Sequence, residues 1–513
     1  MSKQTKESIV KASFFLTIIL IITKVIGIGR EIFFANEFGT TKNFDLYLIG
    51  VAIPLMLNSV IYYLSQNYFI PNYYKYKKEH NNDSEFFNES LWLFVGFGLL
   101  ISLILFAAND VIIEFYTENL SSEESGLVKT IFTIIIFTIP INTAFSICAS
   151  YFVANNKVNI PYIIQLANNT ILLLLIILLS SSFDIYSIPI SYLTANTFQI
   201  LFIIFVLRKY IKLSFPRVKS FSSFSKVKLS SFSITILIEF FSLSYIIIDR
   251  YFYPYVDQGG ISAYNYALTI FNLPMSIFGA TVAAILLPKF SQTFHNDEEK
   301  KSFERGISDS LNAVVILLLP VVILFIFHGV SIIRIIYQRG VFNFNDTLMT
   351  SSLLNILALG LVFYASYSVI NKILYSAQLL RSFLILVIIS VAAKYFINLY
   401  FVDALKQNAL ALSTVLSYSI LLIGGIVILV YKLKLFFYKE YLKNLFYLSI
   451  LAMLIFLISK LILKIFLTES LFFEILEMLL FVVIYFSTIY FADNSNNSIT
   501  KKVMLSFGKS FRK

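Results

Sequence analysis

The chain has 513 residues, of which 58% are hydrophobic, 17% aromatic and only 13% charged, and its mean hydropathy is +0.81. A soluble domain carries about 25% charged residues, so this chain lacks the charge to coat the several soluble domains its length would otherwise form. Disorder, a disulfide-rich secreted scaffold and a cytosolic enzyme are excluded, which leaves a polytopic membrane protein. Apolar runs of roughly 20 residues argue against an outer-membrane barrel, whose strands alternate over about ten residues.

The net charge of +11, from 40 basic and 29 acidic residues, reads as basic cytoplasmic loops rather than a nucleic-acid surface. The 53 Phe and 32 Tyr read as the imprint of an AT-rich genome, with aromatics facing lipid. The single cysteine, Cys148, lies in an apolar run and provides neither a disulfide framework nor a thiolate metal site. No metal or cofactor is expected. The first apolar run holds Lys11 and Lys24 and has no small-residue cleavage site, so it reads as a first span rather than a removable signal.

Fourteen apolar segments are long enough to span, with approximate limits 9–36, 44–72, 88–108, 127–153, 159–181, 187–208, 231–252, 261–288, 309–333, 347–376, 382–402, 408–432, 441–464 and 470–492. Gly27 and Gly29 in the first and Pro54 in the second predict interrupted, bent helices. Lys and Arg gather in the N-terminal tail, after spans 2, 6, 8 and 12, and in the C-terminal tail, all on one side for a count of fourteen. The loop after span 3 is acidic, with Asp110, Glu114, Glu118, Glu123 and Glu124. The positive-inside rule then places both termini in the cytoplasm.

The chain also repeats itself. Arg30 to Pro54 and Arg250 to Pro274 are both 24 residues, and the copies are offset by 250 − 30 = 220. Spans 4 and 10 end alike, in SYFVANNK and ILYSAQLLR. The predicted fold class is therefore an all-α membrane protein of two parallel six-span repeats with two extra C-terminal spans. The expected parts are an N-lobe over 1–212, a basic cytoplasmic linker over 213–230, a C-lobe over 231–432, spans 13 and 14 over 433–493, and a basic tail over 494–513. Two equivalent bundles around a midplane cavity are the architecture of alternating-access transporters.

Ionisable residues at bilayer depth are costly and usually face a cavity or a partner. Here they are Lys24, Arg30 and Glu31 in span 1, Asp45 in span 2, Glu239, Asp249 and Arg250 in span 7, Lys372 in span 10, Lys394 in span 11, and Glu474 and Glu477 in span 14. Arg30–Glu31 and Asp249–Arg250 read equally as ion pairs near the outer interface. Lys394 has a snorkelling reading. Lys24 lies deep in its span beside Gly27, and a lysine held there keeps its proton only with an anion near. Lys24, Arg30, Arg250 and Lys372 are the candidate substrate contacts, and a pyrophosphate matches several such cations. Glu31, Asp45 and Asp249 are the coupling or ion-pair candidates. Asn58, Thr269 and Asn272 are candidate polar cavity residues. The asparagines within spans have a second reading as interhelical hydrogen-bond formers.

Lys24, GIGRE at 27–31, FANEFG at 34–39, Asp45 and Pro54 form one block of motifs. The segment 264–292 (YNYALTIFNLPMSIFGATVAAILLPKFSQ) and IIYQRGVFNFNDTLMTSS at 335–352 form another. Together they resemble the MurJ/MviN family of lipid II flippases, within the multidrug/oligosaccharidyl-lipid/polysaccharide (MOP) exporter superfamily. The resemblance implies a two-lobed, V-shaped helical fold, with spans 13 and 14 helping to form a groove for a lipid tail. It implies export of a polyprenyl-diphosphate-linked saccharide across the bacterial cytoplasmic membrane by a monomer, coupled to a monovalent ion or to membrane potential. The chain departs from the pattern where Asn58 and Ser59 stand in place of two arginines. It departs again at Thr269 and Asn272, in place of an arginine and a glutamate, and in the lysine at position 24. A flippase for an O-antigen or capsule repeat unit is the near alternative. A drug/cation antiporter of the same superfamily would need cavity carboxylates, where the first half instead has Lys24. A membrane glycan polymerase or acyltransferase would need acid–base groups in a cleft, and the histidines are His80 and His295 in loops and His328 late in span 9.

Overall fold

Inside hydrocarbon a backbone has no water to bond, so long apolar segments satisfy their own N–H and C=O groups as helices. The computed structural model describes residues 3–79, 83–117, 120–215, 229–290, 297–464 and 470–492. The predicted tail and most of the predicted linker lie outside them. Among the described residues all regular structure is helical. The chain forms two compact units, Met1–Pro254 with Arg339–Phe342, and Tyr255–Gln338 with Asn343–Lys513.

The first unit contains α1 (Lys3–Phe38), α2 (Lys42–Glu79), α3 (Asp83–Ala107), α4 (Asn109–Thr117), α5 (Ser122–Ile136), α6 (Thr138–Ala154), α7 (Asn159–Phe183), α8 (Ser187–Leu207), α9 (Leu229–Leu243) and α10 (Tyr245–Tyr251). The second contains α11 (Gly260–Phe290), α12 (Asp297–Tyr337), α13 (Phe344–Ser376), α14 (Leu380–Leu405), α15 (Gln407–Leu433), α16 (Tyr438–Lys464) and α17 (Leu471–Ala492). Each of the fourteen expected spans coincides with one of these helices or with a consecutive pair. Among the described residues, ten helical stretches are long and apolar enough by themselves to cross a membrane, one of which, Asn159–Leu207, holds both α7 and α8.

The two units use the same turns at the same places. α5 starts at a capping box, in which Glu124 N donates to Ser121 Oγ and Ser121 N to Glu124 Oε2. α13 starts at another, in which Asp346 N donates to Asn343 Oδ1 and Asn343 N to Asp346 Oδ2. Each box satisfies two orphan N–H groups at a helix start, and 343 − 121 = 222. α6 ends with Asn156 at φ 58° and α13 with Gln378 at φ 56°. There Lys157 N bonds Phe152 O at 2.8 Å and Leu379 N bonds Leu374 O at 3.0 Å, which is the left-handed C-terminal closure of a helix. The α7–α8 and α14–α15 turns pivot on Asp184 at φ 46° and Lys406 at φ 51°. Both pairs are again 222 apart (378 − 156 and 406 − 184). The internal repeat is thus written into capping and turn chemistry.

In the first unit, α2 packs on α5 and α6, and α9 and α10 pack on α2. One end of this bundle is an aromatic core in which Phe69, Tyr73, Phe87 and Phe152 are fully buried. In the second, α13 packs on α11, α12 and α15, while α16 and α17 pack on α12. Two expectations about helix shape are corrected. α1 runs through Gly27 and Gly29 and α2 through Pro54 without interruption. A Cβ at either glycine would meet nothing within 4 Å, so these glycines make no close approach. Interruptions fall instead between α5 and α6, between α9 and α10, and at His328 of α12, where φ is −119° and ψ is 19°.

Candidate functional site

On α1, Arg30 Nη2 donates to Glu31 Oε1 at 2.9 Å. The guanidinium stands 5.7 Å from the Phe34 ring and 5.9 Å from the Tyr192 ring of α8, cation–π distances that hold a charge against an aromatic wall. Phe34 belongs to a ring cluster with Phe38, Phe44 and Tyr47, so the pair is fixed where α1 meets α2. Arg30 Nε and Glu31 Oε2 are buried with no hydrogen-bond partner. The structure thus shows this adjacent pair of candidate residues in direct polar contact.

Lys24 sits on the same helix but is exposed on its unit. Among the described residues it has no hydrogen-bond or ion-pair partner. Asp45 is fully buried in the first turn of α2, where the helix dipole favours a carboxylate. Beside it Lys42 forms an ion pair with Glu124 of α5. Burial, with Asp45 and Glu124 close by, pushes the Tyr253 phenol up. Asp249 and Arg250 are both buried, at 4% and 5% exposure, on α10. Asn58 Nδ2 donates to Thr138 Oγ1 at 3.0 Å, and Asn168 Nδ2 to Asn196 Oδ1 at 3.3 Å. These two asparagines follow the interhelical reading.

The motif glycines acquire a physical reason. Within the first unit, Val341 N donates to Asn36 O at 2.9 Å, joining QRGVF to FANEFG. Gly340 has φ +56°, and a Cβ there would lie 2.2 Å from Asn36 O; Gly39 has φ +54° with Val341 Cγ1 3.0 Å from its Cβ position. Both need glycine for conformation, and Gly340 also needs it for space.

In the second unit, Lys372 of α13 is half-buried and, like Lys24, has no hydrogen-bond or ion-pair partner among the described residues. Thr269 Oγ1 donates to its own helix at Asn265 O, and Asn272 is exposed. The LPMSIFGATVAAILLP stretch lies outside the described side chains beyond Met275. The snorkelling reading of Lys394 is overturned, since its side chain is fully buried on α14. Its Nζ donates to Thr414 Oγ1 at 2.6 Å and to Ser413 Oγ at 3.4 Å on α15. Tyr264 of α11 shares a 2.7 Å hydrogen bond with Thr414. Thr414 thus joins the buried ammonium of α14 and the phenol of α11 to α15. Sequence reasoning named this lysine but not its partners, because they lie on helices whose rotation is set only by packing. Among the described residues no group of three or more His, Cys, Asp or Glu side chains is placed to hold a metal ion.

Comparison with known proteins adds a family. The model of the family described as "Lipid II flippase MurJ" matches residues 34–481. A protein of Thermosipho africanus named "Lipid II flippase MurJ" is 25% identical over 493 residues, covering 95% of this chain and 98% of that protein. A "Probable lipid II flippase MurJ" of Buchnera aphidicola subsp. Schizaphis graminum is 25% identical over 424 residues, covering 79% and 80%. Among solved structures, a lipid II flippase MurJ in an inward closed conformation matches with TM-score 0.78 and 24% identity, over 94% of this chain and 99% of that one. An inward-facing MATE transporter of the MOP superfamily matches with TM-score 0.59 and 13% identity, over 79% and 93%. These likenesses establish the MOP fold.

Proposed function

The chain belongs to the lipid II flippase MurJ family, and from that premise we propose that it moves lipid II, a polyprenyl-diphosphate-linked saccharide, from the cytoplasmic to the outer leaflet of the bacterial cytoplasmic membrane. The family match over residues 34–481 is the observation that carries this reading. The protein acts as a transporter, with both termini in the cytoplasm, as the distribution of Lys and Arg in the loops supports.

The diphosphate is the substrate's densest charge, and span cations without protein partners are the groups free to meet it. Lys24 and Lys372 have that character. Each is an ammonium with three donors and no partner among the described residues. Arg30 is held in place by Glu31 and by the rings of Phe34 and Tyr192, so it offers a preorganised guanidinium face. Arg250 completes the cationic set, and Glu31, Asp45 and Asp249 keep the arginines and helix ends charge-balanced. Thr269 and Asn272 contact the saccharide, while Asn58 is engaged between helices by Thr138. No phosphate-cradling Gly-rich loop is present in the sequence, and transport runs on membrane potential or a monovalent-ion gradient.

A second substrate, another lipid-linked oligosaccharide, is favoured by one specific observation. Asn58, Ser59, Thr269 and Asn272 leave the cationic set smaller than the resemblance implies. Complementation separates the two. Support of growth in cells depleted of their own lipid II flippase is expected. Failure there with normal membrane expression would select the other substrate.

A further inference from the structure

The second unit carries a cluster of ionisable groups where α17 lies on α12. Glu474 and Glu477 are three residues apart on α17 and so share a face. Glu474 accepts the hydroxyl hydrogen of Ser331 on α12. Glu477 Oε1 stands 3.7 Å from His328 Nε2, with side-chain exposures of 14% and 8%. Neither atom has a hydrogen-bond partner. Lys460 of α16 is in electrostatic range of both His328 and Glu477.

The surroundings are apolar. Phe456 stacks on Phe327 at 4.4 Å, meets the His328 ring at 5.7 Å, and packs edge-on to Phe481 at 5.6 Å. α12 departs from helical geometry at His328 itself, and the cluster therefore sits on the one kink found inside α12. Among the described residues the packed helices bring few other charges to the pair. Between Thr347 and Asn371 α13 has no acid, amine, guanidinium or imidazole, and neither does α11 between Gly260 and Pro288. α17 contributes only the two glutamates, and α16 contributes Lys460 at this end, with Lys464 one turn on and outside the described side chains. On α12 the nearest other charge is the exposed Arg334.

The charges count as follows. Two carboxylates and one ammonium leave one negative charge when the imidazole is neutral, and one proton cancels it. A net charge among aromatic rings is costly, while a proton placed between Nε2 and Oε1 converts a 3.7 Å gap into a charge-assisted hydrogen bond. We propose that His328 and Glu477 form a proton-binding site, and that its occupancy sets how tightly α17 is held on α12. The proton belongs to the pair rather than to either group. With the proton bound, α17 is drawn onto the kink. With it lost, the carboxylate seeks water and the helix loosens, while Glu474–Ser331 remains as a pivot. Acid on the side from which the pair is reached therefore tightens the contact.

The test uses the full chain in phospholipid vesicles. Buried Cys148 is replaced by serine, and spin labels are attached through Ile335→Cys and Phe472→Cys, both exposed positions. The label-to-label distance is measured from about pH 5 to pH 8, the window of histidine titration. A single transition toward shorter distances with acid is expected. It should vanish in His328→Gln and in Glu477→Gln, and survive with a displaced midpoint in Glu474→Gln. The reciprocal exchange, His328→Glu with Glu477→His, keeps one imidazole and one carboxylate and should restore it, which separates loss of the site from loss of fold. A distance independent of pH in the unsubstituted pair, or a transition that persists in both single variants, would overturn the proposal.

Discussion

Lys24 and Lys372 resemble each other in chemistry and differ from Lys394. The first two have no partner among the described residues, whereas Lys394 is fully buried and donates to Ser413 and Thr414. If the first two meet a diphosphate, Lys24→Ala or Lys372→Ala removes one charge-assisted contact of about 1.5–3 kcal/mol. Transport at matched expression should then fall by roughly 10- to 100-fold, with the melting temperature unchanged. A vesicle flipping assay run beside a thermal melt checks both halves of that statement. Lys394 predicts the reverse pattern. Replacing a buried, hydrogen-bonded charge by an apolar side chain of similar size is often neutral for stability, so Lys394→Met should fold. Lys394→Ala leaves a cavity and should cost about 2–5 kcal/mol, read as a lower midpoint in a denaturation series. These contrasts were only half legible in the sequence. That each lysine lies within a span follows from its position in an apolar run. Whether it is paired depends on the rotation of its helix, which one-dimensional spacing does not define.

At the scale of elements, the limits of spans were readable because hydrocarbon burial demands long apolar runs, and the helices coincide with those runs. Their internal shape was less readable. Glycine and proline predicted breaks in α1 and α2, yet both are continuous, since neighbouring helices can compensate a break-prone residue inside a membrane bundle. The kink at His328 falls beside Gly329, with Pro320 earlier in the same helix, a signal the sequence reading passed over. The positive-φ turns also went unseen, because Asn156, Asp184, Gln378 and Lys406 are not glycines. Gly340 was visible as a motif letter, and its reason emerges from contact with Asn36. Gly340→Ala combines a left-handed backbone with a 2.2 Å approach to a carbonyl, and strain of this kind costs about 1–3 kcal/mol. A lower melting temperature and reduced yield are expected, and Gly27→Ala, with nothing within 4 Å, should leave both unchanged. The capping boxes at Ser121 and Asn343 make a paired prediction. Ser121→Ala and Asn343→Ala should each destabilise by about 1 kcal/mol, detectable as earlier hydrogen exchange in the first turns of α5 and α13.

For the molecule as a whole, the repeat joins sequence, fold and function. The offset of 220 between the Arg-to-Pro blocks becomes 222 at the later caps and turns, so the second copy holds two more residues than the first between these points. Two copies of one helical unit suit a transporter that alternates between two states of access. The low charged fraction gives the remaining charges their weight. Most stand at helix ends and set topology, and those inside spans include Lys24 and Lys372, the Arg30–Glu31 pair, buried Asp45, Asp249, Arg250 and Lys394, and the His328–Glu477 cluster. Transport of lipid II is the central claim, and replacement of a missing flippase tests it most directly. Cells depleted of their own lipid II flippase and expressing this chain should continue to grow and to deliver lipid II to the outer leaflet, while Lys24→Ala expressed to the same level should fail. Lysis despite normal membrane expression of the unsubstituted chain, or full rescue by Lys24→Ala combined with Lys372→Ala, would contradict the account.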